Sequence, residues 1–272
     1  MTGSSLGTLA RGLALPALLL VLWQVATTLG LVTPQALPSP VAVAIKWGEY
    51  LAPTQPRDPA TQSYLAWALS GELLQDALGS LTRVVLGFGL GLVLALPLGL
   101  LMGAMPALRA FANPLIQILR PIPPIAYIPL AILWFGLGNP PAVFLIALGA
   151  FFPILMNTIA GVAQVDSIYL RAARNLGASP GRIFVQVILP AAMPFILSGV
   201  RIGIGTAFLV VIVAEMIAVN NGLGYRILEA REYFWTDKII AGMLSIGLIG
   251  LAIDLLMDRL NRHLLRWHRG MA

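Results

Sequence analysis

The sequence predicts an all-α, polytopic membrane protein with six transmembrane helices. Three observations lead there. Of 272 residues, 58% are hydrophobic and only 10% charged, with a mean hydropathy of +0.88, a balance no soluble domain of this length needs. The apolar residues gather in six runs, each close to the length that crosses a hydrocarbon core. Lipid offers the backbone no hydrogen-bond partners, so the runs read as helices. Finally, the basic residues sort to one side of the six runs.

The first run, 13–32, follows Arg11. It is longer than a signal-peptide core and lacks a small-x-small cleavage pattern, so it reads as an uncleaved span. Residues 33–71 are polar and Pro-rich. Within them Ser39-Pro40 starts a short surface helix over 41–51, with Trp47 and Tyr50 expected at the membrane interface. Residues 54–63 carry no helical pattern and read as a loop. The second span lies within 73–105. Gly87, Gly91, Ala95, Gly99 and Gly103 recur there every fourth residue, a small-residue ladder that lets another helix approach closely. Pro97 is expected to kink it.

The third span, 113–136, contains RPIPPIAYIP, with Pro121, Pro123, Pro124 and Pro129. Each proline removes a backbone donor and disfavours helix at the residue before it. Irregular backbone at membrane depth is tolerated where it is buried in protein or lines a cavity. The run is therefore either a translocation path, with Arg120, Pro121, Pro124 and Tyr127 along it, or a kinked structural helix. The fourth span, 141–162, ends with Asn157 and Thr158, which either hydrogen-bond across helices or line the path. The fifth, 191–217, holds Arg201 and Glu215. An intramembrane charge is costly and points to function by default. At about 1.5 Å per residue these two stand about 21 Å apart and cannot pair with each other. Arg201 either attracts an anion along the path or pairs with Asp254, and the pairing is the preferred reading. Residues 220–238 form an exterior loop with an Asn221-Gly222 turn and a short amphipathic helix. The sixth span, 239–257, leads into a stripe of Asp254, Asp258, Arg262 and Arg266 at intervals of four, acid before base as a helix prefers.

Between the fourth and fifth spans lies the one long polar interruption in the second half of the chain, 165–190, which includes DSIYLRAARNLGASPGRIFVQVILP. It reads as two short helices with a glycine joint. Ser167 is expected to N-cap the first, Gly177 to close it in the left-handed conformation, and Pro180 to open the second. Tyr169, Ala172, Ala173 and Leu176 share one face of the first helix, with Arg171, Arg174 and Asn175 around the rest. Two alanines on that face let another backbone come close. An interfacial helix without a partner, or a DNA-binding helix pair, fits the basic elbow less well, because long apolar spans flank it.

Six spans put both termini on one side. That side collects Arg11, Arg109, Arg120, Arg171, Arg174, Arg182, Arg259, Arg262, Arg266 and Arg269 against Asp166 and Asp258, a net +8. Six cations on the other side meet seven acids. Positive charge marks the cytoplasm, so the elbow and both termini face the cell interior and the chain sits in the cytoplasmic (inner) membrane. The net charge of +6 thus reflects topology and implies no nucleic-acid partner.

R-A-A-x-x-x-G over 171–177, followed nine residues later by V-I-L-P, resembles the EAA loop of ATP-binding-cassette (ABC) importer permeases. Ala172, Ala173, Gly177, Leu189 and Pro190 match that loop, while Arg171 stands where the family usually has Glu and Val187 where it usually has Ile. SLTRVVLGFGLG, RPIPPIAYIPLAILWFGLG, FPILMNTIAG, RIGIGTAFLVVIVAEMI and NGLGYRI, in that order, look like the permeases that import sulfonates, taurine and nitrate. The resemblance implies a type I ABC importer permease fold in a single domain over 1–272, with a core at 73–260. It implies a homodimer that binds two copies of a separate ATPase and receives solute from a periplasmic or lipid-anchored binding protein. Tyr169, Arg171, Ala172, Ala173, Leu176, Gly177, Ala178, Leu189 and Pro190 would form the ATPase-coupling element. Aliphatic sulfonate or taurine is the first expectation for the solute and nitrate the second. Bicarbonate, phthalate-like acids and pyrimidine precursors stay open.

The chain is expected to hold no cofactor and to catalyse no reaction. A P-loop needs Gly-Lys-Ser or Gly-Lys-Thr, and neither Lys46 nor Lys238 has those neighbours. ATP and Mg would be bound by the partner ATPase. There is no Cys, both histidines (His263 and His268) lie in the basic tail, and no metal-ligand spacing occurs. An ion-coupled secondary transporter would want paired carboxylates near the midplane, which Glu215 and Asp254, near opposite ends of their spans, do not supply.

Overall fold

The computed structural model describes residues 3–54, 56 and 63–265. The elements in order are α1 (Gly3–Thr28), α2 (Pro40–Leu51), α3 (Tyr64–Ala68), α4 (Glu72–Ala104), α5 (Pro106–Leu119), a 3-10 turn (Pro124–Tyr127), α6 (Ile128–Phe135), α7 (Asn139–Ala163), α8 (Ser167–Asn175), α9 (Pro180–Ile183), a π turn (Phe184–Ile188), α10 (Leu189–Ala218), α11 (Leu223–Glu232) and α12 (Thr236–Leu264). The fold is all-α and polytopic. Among the described residues, four helical stretches are long and apolar enough to cross a membrane: α4, α7, the run from α9 through α10, and α12. α5 and the 124–135 segment pass the same test together as a pair bent by 81°, the geometry of a broken span or a re-entrant loop, and 14–28 of α1 is a shorter apolar helix. Each of the six expected runs is helical with shifted ends, and among the described residues four of them, or five with the bent pair, reach the length and hydropathy of a span. The expected 54–63 loop falls mostly outside the described residues, as do Arg57, Arg266, His268 and Arg269.

The described residues divide into two compact units, 1–77 with 226–247 and 78–225 with 248–272. In the first, Ser39 N-caps α2 by accepting a hydrogen bond from the Ala42 N–H at 3.2 Å, with Pro40 at the first helical position. Tyr50, expected at the membrane interface, is instead turned into the protein, and Trp47 is half-buried. Tyr50 is buried and its hydroxyl donates to Asp76 at 2.8 Å, while the Trp47 indole N–H donates to Ser245 at 2.9 Å. A buried aromatic with a polar tip is drawn to a protein acceptor when one is near. Arg226 meets Glu72 at 2.6 Å, Asp76 at 2.9 Å and Glu229 at 2.6 Å, and Lys238 meets Glu72 at 2.8 Å. Burial and the Asp76 carboxylate raise the Tyr50 hydroxyl well above the usual phenol range. Burial alone would lower Arg226, but its bonds to Asp76 and Glu229 outweigh it and hold the guanidinium above its ordinary value.

The second unit is built on α7. The ladder on α4 packs against it. A Cβ at Gly87 would lie 2.6 Å from Ile146, at Gly91 2.7 Å from the Ala147 carbonyl, at Gly99 2.7 Å from Thr158 and at Gly103 2.5 Å from Val162. Those separations are closer than side chains ever approach, so only glycine admits this contact. On its other side α7 meets α10 in the same manner through Gly161, Gly199 and Gly203. Small residues thus knit α4, α7 and α10 into one stack, with Ala95, Ala150, Ile154, Leu155 and Ala207 fully buried within the unit.

Candidate functional site

The elbow between α7 and α10 is assembled by local rules. The first helix is N-capped by Asp166, not by the expected Ser167: the Asp166 Oδ1 accepts from the Ile168 N–H at 2.8 Å, and Ser167 is already helical. Both residue types cap, but the carboxylate adds its charge to the favourable end of the helix dipole. At the other end Gly177 adopts φ 76°. Its N–H donates to Arg174 at 2.9 Å and the Ala178 N–H donates to Ala173 at 3.1 Å, the paired bonds of a Schellman closure. Pro180 opens α9, and the π turn then carries the chain into α10, where the Leu189 N–H reaches back to the Phe184 carbonyl. Leu189 and Pro190 are thus the first residues of α10 rather than part of the elbow's helices.

The elbow's apolar residues lie open. Leu176 is 88% exposed, Tyr169 62% and Ile168 59%. Ala172 is exposed, and Ala173 and Ala178 are half-buried. Arg171, Arg174 and Arg182 surround them, all exposed. A nine-residue helix with this surface offers shape and charge to a partner but contributes little to the unit's own packing.

A second arrangement sits at the break in the third span. α5 ends at Leu119, and residues 120–123 turn the chain before the 3-10 turn begins at Pro124. The break leaves a cavity of about 340 Å³ against α7 and α10, lined by Arg120, Pro124, Gly149, Met156, Asn157 and Thr206 among others. Arg120 and Met156 also line a neighbouring cavity of about 440 Å³, together with Pro121 and Gln117. Arg120, Pro121, Pro124 and Asn157 are therefore brought together as a group. Tyr127, half-buried in the 3-10 turn, is outside both linings. Asn157 and Thr158 do not bond across helices: the Asn157 amide donates to the Pro153 carbonyl at 2.8 Å and the Thr158 hydroxyl to the Ile154 carbonyl at 2.7 Å, each one turn back in α7.

Arg201 and Glu215 stand apart from these cavities, each in an ion pair. Arg201 forks onto Asp254, with Nε–Oδ1 at 3.1 Å, Nη2–Oδ1 at 2.8 Å and Nη2–Oδ2 at 3.0 Å, and lies 3.9 Å from Asp258. Asp258 in turn meets Arg262 at 2.8 Å. Glu215 is fully buried and pairs with Arg83 at 2.6 Å. Its other oxygen accepts from the Ser80 hydroxyl and the Gly224 N–H, both at 2.9 Å. Arg83 also donates to Asn139 at 2.7 Å, to the Asn221 carbonyl at 3.2 Å and to the Asn221 side chain. Sequence reasoning found Glu215 but missed Arg83, which sits in the lead-in to the second span. The available signal was chemical: a carboxylate buried near the outer end of a span requires a cation at the same depth.

Comparison with known proteins gives a consistent picture. The family model of binding-protein-dependent transport system inner membrane components matches residues 91–270. The chain is 37% identical over 264 residues to the taurine transport system permease protein TauC of Escherichia coli, covering 97% of this chain and 89% of that protein. It is 38% identical over 257 residues to the putative aliphatic sulfonates transport permease protein SsuC of Bacillus subtilis, covering 94% and 87%. It is 37% identical over 195 residues to the bicarbonate transport system permease protein CmpB of Synechococcus elongatus, covering 71% and 70%. Among solved structures, a chain of the MetNI methionine ABC transporter in an inward-facing conformation superposes with a TM-score of 0.64 at 20% identity, covering 75% of this chain and 99% of that one, a likeness of fold.

Proposed function

This chain belongs to the family of binding-protein-dependent transport system inner membrane components, and from that premise we propose that it is the permease subunit of an ATP-driven importer for a small anionic solute. Aliphatic sulfonate or taurine is the first candidate, supported by the names of two relatives that match nearly the whole chain. Bicarbonate is the second reading, supported by a relative that matches a shorter stretch. Nitrate rests on the sequence resemblance alone.

The observation that carries the reading is the elbow: a capped nine-residue helix between two spans, its apolar residues open and ringed by arginines. A partner ATPase, two copies per permease dimer, would grip Tyr169, Arg171, Ala172, Ala173, Leu176, Gly177 and Ala178. Leu189 and Pro190 would set where the elbow's motion enters α10. ATP and Mg belong to that ATPase, and this chain holds no cofactor of its own. A periplasmic or lipid-anchored binding protein would deliver solute to the opposite face. Both termini and the elbow face the cytoplasm in this reading, the chain acts as one permease domain over 1–272, and its core, 73–260, carries the path past Arg120, Pro121, Pro124 and Asn157. Nucleotide-driven closure of the ATPases biases the permease between inward- and outward-open states, which requires two discrete arrangements.

The test is reconstitution of the permease, its ATPase and its binding protein in liposomes. Uptake of labelled taurine or bicarbonate is expected only with ATP, ATPase and binding protein all present. Uptake by the permease alone, driven by an ion gradient, would overturn the reading.

A further inference from the structure

The cavity at the break of the third span is framed by the middles of two spanning helices. Gly149 is ten residues into α7, about 15 Å from its start, and Ile202 and Thr206 flank the centre of α10. Discontinuous helices at such a depth are where membrane transporters hold their cargo. The walls are mostly apolar: Ile122, Leu148, Phe152, Pro153 and Met156. Against them stands one full charge, Arg120, which the sequence count set with the cytoplasmic cations and the structure sets at the break within the third span. Arg120 has no hydrogen-bond or ion-pair partner among the described residues, whereas Arg83, Arg201 and Arg226 are each held by a carboxylate. Thr206 spends its hydroxyl proton on the Ile202 carbonyl at 2.9 Å, and Asn157 spends one amide proton on Pro153. The guanidinium is therefore the one uncommitted charged donor of the site, beside the second amide proton of Asn157. It also lines the second cavity, on the α5 side, so one side chain borders both chambers.

We infer that Arg120 is the anion-recognition residue of a low-affinity solute site in the membrane, taking a small solute with a single oxyanion group, sulfonate or carboxylate in type, whose remainder fits the apolar wall. The inference rests on the importer reading and deepens it. A planar fork of donors matches two oxygens of such a group, and a site with one cation and no second binds cargo weakly enough to release it. A cation facing both cavities can hand the anion from one to the other without leaving it unpaired. A volume of about 340 Å³ admits one small solute with some water.

The chain contains no cysteine, so a Thr206→Cys variant of the assembled complex presents one thiol of this chain to the cavity. Two methanethiosulfonate reagents of similar size are compared, one ending in a sulfonate and one in a trimethylammonium. Focusing of charge by a low-dielectric cleft changes on-rates by about 10-fold or more. The sulfonate reagent is expected to react at least about 10-fold faster relative to the cationic one than it does with free cysteine. That preference should collapse in Arg120→Gln and return in Arg120→Lys, and millimolar taurine or bicarbonate should slow labelling where Arg120 is intact. An unchanged preference in Arg120→Gln overturns the inference and leaves the importer reading standing. If the wild-type complex moves neither anion while the preference holds, taurine and bicarbonate fall as the solute and Arg120 stands as the anion-binding residue. Should Arg120→Gln fail to assemble, protection of Thr206→Cys by the added anion decides alone, and no protection overturns the site.

Discussion

Removing Arg83 tests the most deeply buried charge pair in the chain. Arg83→Met keeps most of the side chain's apolar stem and deletes the guanidinium. Glu215, 0% exposed, would then hold a carboxylate with two remaining donors, Ser80 and Gly224, and no cation. Breaking a buried pair by deleting one partner costs roughly 3–5 kcal/mol, since the survivor is left uncompensated. The bonds from Arg83 to Asn139 and Asn221 go too, so the upper half of that range is expected. Glu215→Gln should cost less, because Arg83 keeps its asparagine partners and an amide oxygen still accepts one bond. The double variant should be more stable than the sum of the singles by about 1–3 kcal/mol, the coupling of residues in direct contact. Denaturant unfolding of the purified permease in mixed micelles measures all three. Arg83→Met costing under about 1 kcal/mol, or singles that add within about 0.5 kcal/mol, would refute the claim that this pair anchors α4 to α10.

Gly99→Ala places a methyl 2.7 Å from the Thr158 Cβ and should destabilise by about 1–3 kcal/mol; Gly89→Ala, with nothing within 4 Å, should be neutral or gain up to about 1 kcal/mol of helix propensity, and equal effects in the two variants would remove the packing role of the ladder. Replacing Ala172 and Ala173 by Trp should abolish co-purification with the ATPase while leaving permease yield unchanged, and an undiminished complex would count against docking at the elbow. The raised Tyr50 hydroxyl gives a pH dependence of definite sign. Unfolded tyrosine ionises near pH 10 while the buried one keeps its proton, so the folded state binds the extra proton and stability declines as pH rises past about 10. Thermal unfolding between pH 8 and 11 should show a shallower alkaline decline in Tyr50→Phe than in wild type, and parallel slopes would disprove the assignment.

What the sequence made legible were features enforced locally or by the membrane. The ladder from Gly87 to Gly103 could be read because a helix face that touches another backbone must be small at every turn. The broken third span could be read because prolines forbid what a straight helix needs, although neither the size of the bend nor the helix start at Pro106 follows from them. Gly177 could be read because a left-handed closure selects glycine. The illegible features depend on partners far along the chain. Arg83 and Glu215 lie 132 positions apart, and no periodicity links them. Tyr50 and Trp47 looked like interfacial aromatics because amphipathic rings suit a lipid boundary and a protein acceptor equally well. Asp166 displaced Ser167 as the cap because adjacent residues of the same chemical class compete for one position, and a one-residue choice is set by the turn before it. The π turn at 184–188 left no mark in composition at all.

The geometry of the second unit also says how a push at the elbow would travel. The elbow is joined to α7 at one end and, through the π turn, to α10 at the other. These two helices meet at Gly161, Gly199 and Gly203, where a Cβ would come within 2.7–2.9 Å of a neighbouring side chain. Contacts that close leave no room to slide without unpacking, and packed interfaces switch between discrete states rather than deform continuously. Force applied to α8 would therefore move α7 and α10 as a pair. The same pair walls the cavity, through Gly149 and Asn157 on one helix and Ile202 and Thr206 on the other. The opposite wall is the broken span, whose 120–123 bend carries no regular helix. A rigid wall facing an irregular one is an arrangement in which small rotations of the pair change the width around Arg120. On the proposed function, the broken span is the part that must yield while the glycine-packed pair serves as the lever.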